Sequence, residues 1–177
     1  MIKQYDDCSL RVFEKKDIEK KIEWINNPEN NAFLHYDIPL EYEKTLNWFR
    51  KKDNSKRIDC VIEYKSNPVG LIGLLAIDNN SKKAEYYITL GSTEHKRKGI
   101  ATKATMLILE YAFNDLKLNK VYLNVDADNV AACKLYENTG FICEGVFLED
   151  QERRGQLIDR KRYAYLKKNW NDGWRIK

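Results

Sequence analysis

The chain has 177 residues, 43% of them hydrophobic and 33% charged, with a formal net charge of +4. That length suits a single domain with a sizeable core, read as residues 1–177 with its centre at about 8–166. A run of about 18 apolar residues is missing, which argues against a membrane partner, and so small a charge does not demand a nucleic acid.

In chain order, the polar start Met1–Asp7 lacks the apolar centre of a signal peptide, so a cytoplasmic protein is expected. Ser9–Phe13 reads as a first strand. Asp17 can cap a helix that places Ile18, Ile22 and Ile25 on one face. Pro28 and the asparagines of 26–31 end it. Leu40 to Lys52 reads as a second helix, with Leu46 and Phe49 one turn apart. A meander follows: strand Cys60–Tyr64, turn 65–68, strand Val69–Ile77, turn 78–81, strand Lys83–Leu90. Gly70 and Gly73 suggest a bulge or close approach by another backbone.

A helix over 99–116 is predicted from Ile100, Ala104, Leu107, Ile108 and Tyr111 at helical spacing. Val121, Leu123 and Val125 alternate with Tyr122 and Asn124 in a strand over 120–125. Asp128 or Asn129 can cap a short helix carrying Tyr136, and Gly140 can end it. Two strands are predicted near Phe141–Leu148 and Leu157–Leu166, and the tail from Asn171 reads as loosely held. Basic residues at 153–154 and 160–162 read as a solvated face.

Cys8, Cys60, Cys133 and Cys143 have no metal-ligand spacing, and His35 and His95 do not complete a zinc pattern. No metal is expected, and the thiols read as reduced and mostly buried.

The stretch Lys96-Arg97-Lys98-Gly99-Ile100-Ala101-Thr102-Lys103 carries the most information. A basic, glycine-containing turn at a helix start exposes backbone N–H groups and favours a phosphate. Alone it reads better as a solvated helix start. About one strand and one helix further on stands Asn129-x-x-Ala132-x-x-Leu135-Tyr136-x-x-x-Gly140-Phe141.

Together the two segments resemble the GNAT superfamily of acyl-CoA N-acyltransferases, and the likeness runs from about Cys8 to Leu166. The layout is most similar to the branch of ribosomal-protein N-terminal, polyamine and nucleotide-amino-sugar acetyltransferases. The resemblance implies a mixed α/β fold with a largely antiparallel central sheet flanked by helices, and acetyl-CoA as co-substrate. It implies that Leu90, Lys96, Arg97, Lys98, Gly99, Ile100, Ala101, Thr102 and Asn129 bind that co-substrate. The family usually has Arg or Gln where Lys96 stands, so the backbone argument carries over better than the side chain. Family members are often dimers, which makes a homodimer one option.

Attack of an amine on a thioester needs a fixed acyl carrier, a neutral amine and a stabilised leaving thiolate. Tyr136 matches the family's thiolate protonator; read by itself it is a core aromatic. Glu85 resembles an acidic residue that could deprotonate the amine directly or through water; read by itself it is an exposed strand residue. Relatives that acetylate protein N-termini often carry Glu where Asn124 stands, and Asp126 is a weaker substitute. The acceptor end is expected from 24–49, with Trp24, Asn26, His35, Tyr36 and Glu41 as contacts. Their plain readings include a core Trp24, a turn Asn26 and a surface His35. The expected acceptor is a small primary amine, such as a nucleotide amino sugar or a polyamine. The alternatives are a protein N-terminus, an aminoglycoside, and a CoA-binding sensor without turnover.

Overall fold

A computed structural model describes residues 2–91, 94, 98–172 and 174. The elements are β1 (Lys3–Tyr5), β2 (Cys8–Val12), α1 (Ile18–Asn26), α2 (Tyr42–Lys51), β3 (Ile58–Tyr64), β4 (Asn67–Asp78), β5 (Lys83–Leu90), α3 (Ile100–Glu110), β6 (Lys120–Asp126), α4 (Val130–Thr139), β7 (Ile142–Arg153) and β8 (Gln156–Leu166). The strands form one sheet in the order β1-β2-β3-β4-β5-β6-β8-β7. Every neighbouring pair is antiparallel except β5 and β6, which run parallel.

Helices cover both faces, because the central strands are apolar on both sides. On one face α3 and α4 enclose Leu107, Ile108, Ala112, Phe113, Val121, Leu123, Tyr136 and Phe141. On the other, Phe13, Ile18, Trp24, Leu46, Val61 and Leu71 form a second cluster. Each fully buried Leu or Ile contributes roughly 2 kcal/mol to this packing. The expected alternation of helices and strands is present, with differences that have local causes. The three-residue β1 is too short to leave a periodic signal. The helix over 99–116 is α3 followed by a π turn at Tyr111–Asp115.

Asp17 does not cap α1 with its side chain. It accepts a hydrogen bond from the Glu14 N–H at 2.8 Å and a bidentate pair from Arg11, both N–O distances 2.7 Å. The tail is better anchored than its composition suggests. Trp174 stacks edge-on against Tyr5 at 5.0 Å and donates from Nε1 to Glu110 at 3.2 Å. The close approaches expected at Gly70 and Gly73 are to the Thr89 carbonyl and the Tyr87 ring. Cys8, Cys60 and Cys133 are buried free thiols, whereas Cys143 is exposed.

Candidate active site

The parallel pairing of β5 with β6 stops almost as soon as it begins. It joins Lys83 to Lys120, Ala84 to Val121 and Glu85 to Tyr122. Beyond Glu85 the strands diverge: β5 continues along β4 to Leu90, and β6 continues along β8 to Asp126. The wedge between them is a cavity of about 490 Å³, walled by Tyr86–Leu90 on one side and Leu123–Asp126 on the other. α4 and the loop before α2 close it, through Tyr136 and His35 among others. The β5 margin facing β6 has no strand partner past Glu85, so its main chain can pair with an extended ligand.

At the end of β5 the chain turns into α3 through Gly99. Gly99 caps the helix at φ +72°, a left-handed conformation that costs a side-chain-bearing residue roughly 1 kcal/mol. A Cβ there would meet no atom within 4 Å, so the demand is conformational and the space in front is open. The first-turn amides at Ile100, Ala101 and Thr102 belong to a helix start, where the dipole favours an anion. Ile100 buries its side chain, leaving only its amide for that purpose, while Lys98 and Thr102 are exposed. Lys103 is drawn away to Asp6 at 2.7 Å. Lys96 and Arg97 lie outside the described residues.

Tyr136 lines the cavity from α4 and is 7% exposed. Its ring packs against Tyr86, Phe141 and Tyr163. Its hydroxyl has no hydrogen-bond partner among the described residues. Burial, with a smaller effect of the Cys133 thiol, pushes the phenol above its ordinary range. Its proton is therefore in place at any working pH. Asn129 lines the same cavity and caps α4 by accepting from the Ala132 N–H at 3.2 Å. The site and cap readings of Asn129 coexist.

The acceptor side is less uniform. His35 and Tyr36 line the cavity. His35 Nε2 lies 2.8 Å from Oδ1 of Asp126, a carboxylate only 2% exposed. Trp24 supports the site from behind, packed on Gly91. Asn26 clasps the loop by donating to the Leu40 carbonyl and accepting from the Leu40 N–H. Glu41 is exposed and paired with Lys44 at 2.6 Å. Glu85 stands at the apex of the wedge, outside the cavity lining, where it accepts from Asn124 Nδ2 at 3.5 Å. The structure thus gathers His35, Tyr36, Leu90, Asn129 and Tyr136 around one space, while Trp24, Asn26, Glu41 and Glu85 stand outside its lining.

Two buried side-chain oxygens, Asn30 Oδ1 and Asn124 Oδ1, lack partners among the described residues. Both residues line this cavity. Orphaned buried acceptors are costly, and a ligand bringing donors into this cavity would relieve that cost.

Arg153, read from sequence as part of a solvated face, is instead part of the site's frame. Arg154 and Gly155, both at positive φ, make the two-residue turn between β7 and β8. The turn delivers Arg153 to Asp126 Oδ2 at 2.6 Å and to Asp128 Oδ2 at 2.6 Å, and the guanidinium lies over Phe33. No sequence signal connects these residues; the register of β8 against β6 does.

Residues 8–142 match the model of the acetyltransferase (GNAT) domain. The chain is 32% identical over 165 residues to a spermidine N(1)-acetyltransferase of Vibrio cholerae, covering 92% of this chain and 94% of that one. A crystal structure of the V. cholerae spermidine N-acetyltransferase in complex with CoA and spermine superposes with a TM-score of 0.84. It has 28% identity and covers 92% and 96% of the two chains. A dodecameric structure of the V. cholerae enzyme in an intermediate state gives a TM-score of 0.81 at 27% identity, covering 95% and 98%. A wedge between parallel strands, a helix start with open space in front of Gly99 and a phenol lining the wedge suit thioester aminolysis. With these matches they establish that the chain belongs to the GNAT family and is an acetyl-CoA-dependent N-acetyltransferase.

Proposed function

We propose that the acceptor is a small cationic primary amine, a polyamine ahead of a nucleotide-linked amino sugar. The observation that carries this choice is the charge of the cavity wall. Among the described residues it includes the carboxylate of Glu29 and that of Asp126, the latter already paired with Arg153 from behind, and neither a lysine nor an arginine. A polyamine brings positive charge to that wall. A sugar nucleotide would bring phosphates to it without a lining cation. The spermidine acetyltransferase relatives support the same order.

Acetyl-CoA supplies the activated acyl group. The amides following Gly99 bind its diphosphate, and Lys98, Lys96 and Arg97 add charge. The free β5 margin near Leu90 receives the extended arm. Tyr136 donates its proton to the departing sulfur. Asn129 holds the start of α4 so that Tyr136 meets the wedge. Glu85 contributes from the apex, at most through water, because it lies outside the lining.

The chain also assembles with copies of itself. The outer strand β7 leaves Ile142, Val146, Phe147 and Leu148 exposed, with Leu157 beside them on β8. An unpaired strand with such a surface is a pairing liability unless covered. A dimer through that edge, or a larger ring, fits the dodecameric relative. Light scattering of the purified chain tests this, and a monomer at micromolar concentration overturns it.

An amine panel tests the acceptor. It pairs CoA release with product mass for spermidine, spermine, a nucleotide amino sugar, an aminoglycoside and a peptide N-terminus. The polyamines are expected to exceed every other acceptor by about tenfold or more in kcat/KM. A preference for the sugar nucleotide or peptide overturns the polyamine choice.

A further inference from the structure

We propose that His35, held by the buried Asp126, takes the proton from the acceptor amine. The inference rests on the acetyltransferase reading above and assigns its missing base.

The geometry selects one tautomer. Asp126 Oδ2 receives Arg153 Nη1 at 2.6 Å, and Arg153 also holds Asp128. A carboxylate gripped by a guanidinium stays ionised and can only accept. Asp126 Oδ1, 2.8 Å from His35 Nε2, therefore requires the imidazole hydrogen on Nε2. The lone pair is then on Nδ1, which has no partner among the described residues. A base oriented by a buried acid is the arrangement that makes an imidazole an effective proton acceptor. His35 keeps 30% of its side chain exposed, lines the cavity and shares it with Tyr136. Glu85 does not line the cavity.

The proton balance closes with the two groups. His35 Nδ1 removes one proton from the ammonium, and the freed lone pair forms the new N–C bond at the thioester carbonyl. The C–S bond breaks with its electron pair on sulfur, which takes the Tyr136 proton. The second nitrogen proton reprotonates Tyr136 through water. His35 returns its own proton to solvent, so one proton is released per turnover. Asp126 stabilises the imidazolium in between.

The charged and titratable groups around His35 are Asp126 from β6, Asp128 beyond it and Arg153 from the β7–β8 turn. Tyr36 and Asp37 follow His35 in its own loop, and Glu29, Tyr87 and Tyr136 belong to the cavity wall or α4. Among the described residues, only Asp126 is hydrogen-bonded to the ring.

The test compares wild type, His35→Gln and Glu85→Gln with the best amine of the panel. Glutamine can still donate to Asp126 but cannot accept a proton. His35→Gln is expected to lower kcat about a hundredfold or more. Its affinity for acetyl-CoA by calorimetry should stay within about twofold, and the acid limb of the kcat profile should disappear. His35→Gly should regain about tenfold or more of its activity with added imidazole, which a purely structural role would not allow. A His35→Gln rate within about threefold of wild type overturns the proposal and leaves the acetyltransferase reading intact. So does an acid limb that disappears in Glu85→Gln and persists in His35→Gln. A wild type that releases no CoA with any amine overturns both.

Discussion

Trp24 lies flat against Gly91, so closely that a Cβ at position 91 would overlap the indole ring. Gly91 is the residue after β5, and its N–H still donates to the Val69 carbonyl at 2.8 Å. Asn30 ties the same point down by donating to the Gly91 carbonyl at 2.9 Å and the Trp24 carbonyl at 3.3 Å. Helix α1 and the mouth of the wedge are therefore joined at this point.

Gly91→Ala should separate them. Forcing a methyl group into this packed contact should cost about 1–3 kcal/mol, measurable by urea denaturation. The KM for the amine should rise if the loop after α1, which lines the cavity, meets the acceptor. Unchanged stability and KM would show that the contact has slack.

Tyr136→Phe should separate chemistry from packing. The ring contacts survive, and the lost hydroxyl has no partner among the described residues, so the melting temperature should hold. The value of kcat should fall roughly ten- to ten-thousandfold with little change in acetyl-CoA affinity. Steady-state kinetics and calorimetry on one preparation decide the matter; a wild-type kcat removes Tyr136 from proton transfer.

Gly99→Ala should weaken the co-substrate through the backbone alone. The added methyl meets empty space, so any effect comes from the left-handed φ, at about 1 kcal/mol. Calorimetry with CoA should show about fivefold weaker binding as the first-turn amides tilt. Dephosphorylated fragments that lack the diphosphate should show no difference between the two proteins.

Lys21 gives a pH prediction. It is 8% exposed, with Nζ 3.5 Å from the centre of the Trp48 ring and Phe13 and Tyr36 also nearby. Burial lowers its pKa to about 8, against an unperturbed 10.5. Between those values the unfolded chain binds a proton that the folded chain has released, so stability rises with pH across that window. The gain is on the order of 3 kcal/mol at most. Wild type minus Lys21→Met, compared by urea denaturation at about pH 7 and about pH 9.5, isolates this group. A difference that stays flat, or shrinks with rising pH, contradicts the assignment.

Much of this protein was legible in its residues taken in order. Alternation in 120–125 and helical spacing in 100–111 are local properties, and they specify strand and helix because side-chain periods of two and 3.6 decide which face is buried. The turn at Gly99 and the stripe ending in Tyr136 are likewise local, and the structure shows a left-handed helix cap and a phenol lining the cavity there. What the linear order could not show are the contacts made when distant segments meet. His35 and Asp126 stand 91 positions apart. Arg153 reaches Asp126 only because β8 lies in register beside β6 and the turn at Arg154–Gly155 folds back. Glu85 and Asn124 come together only at the point where two strands cease to pair. Local propensity is written in neighbouring residues, whereas the wedge and the side chains gathered around it arise from strand register and loop closure, which only the folded chain decides.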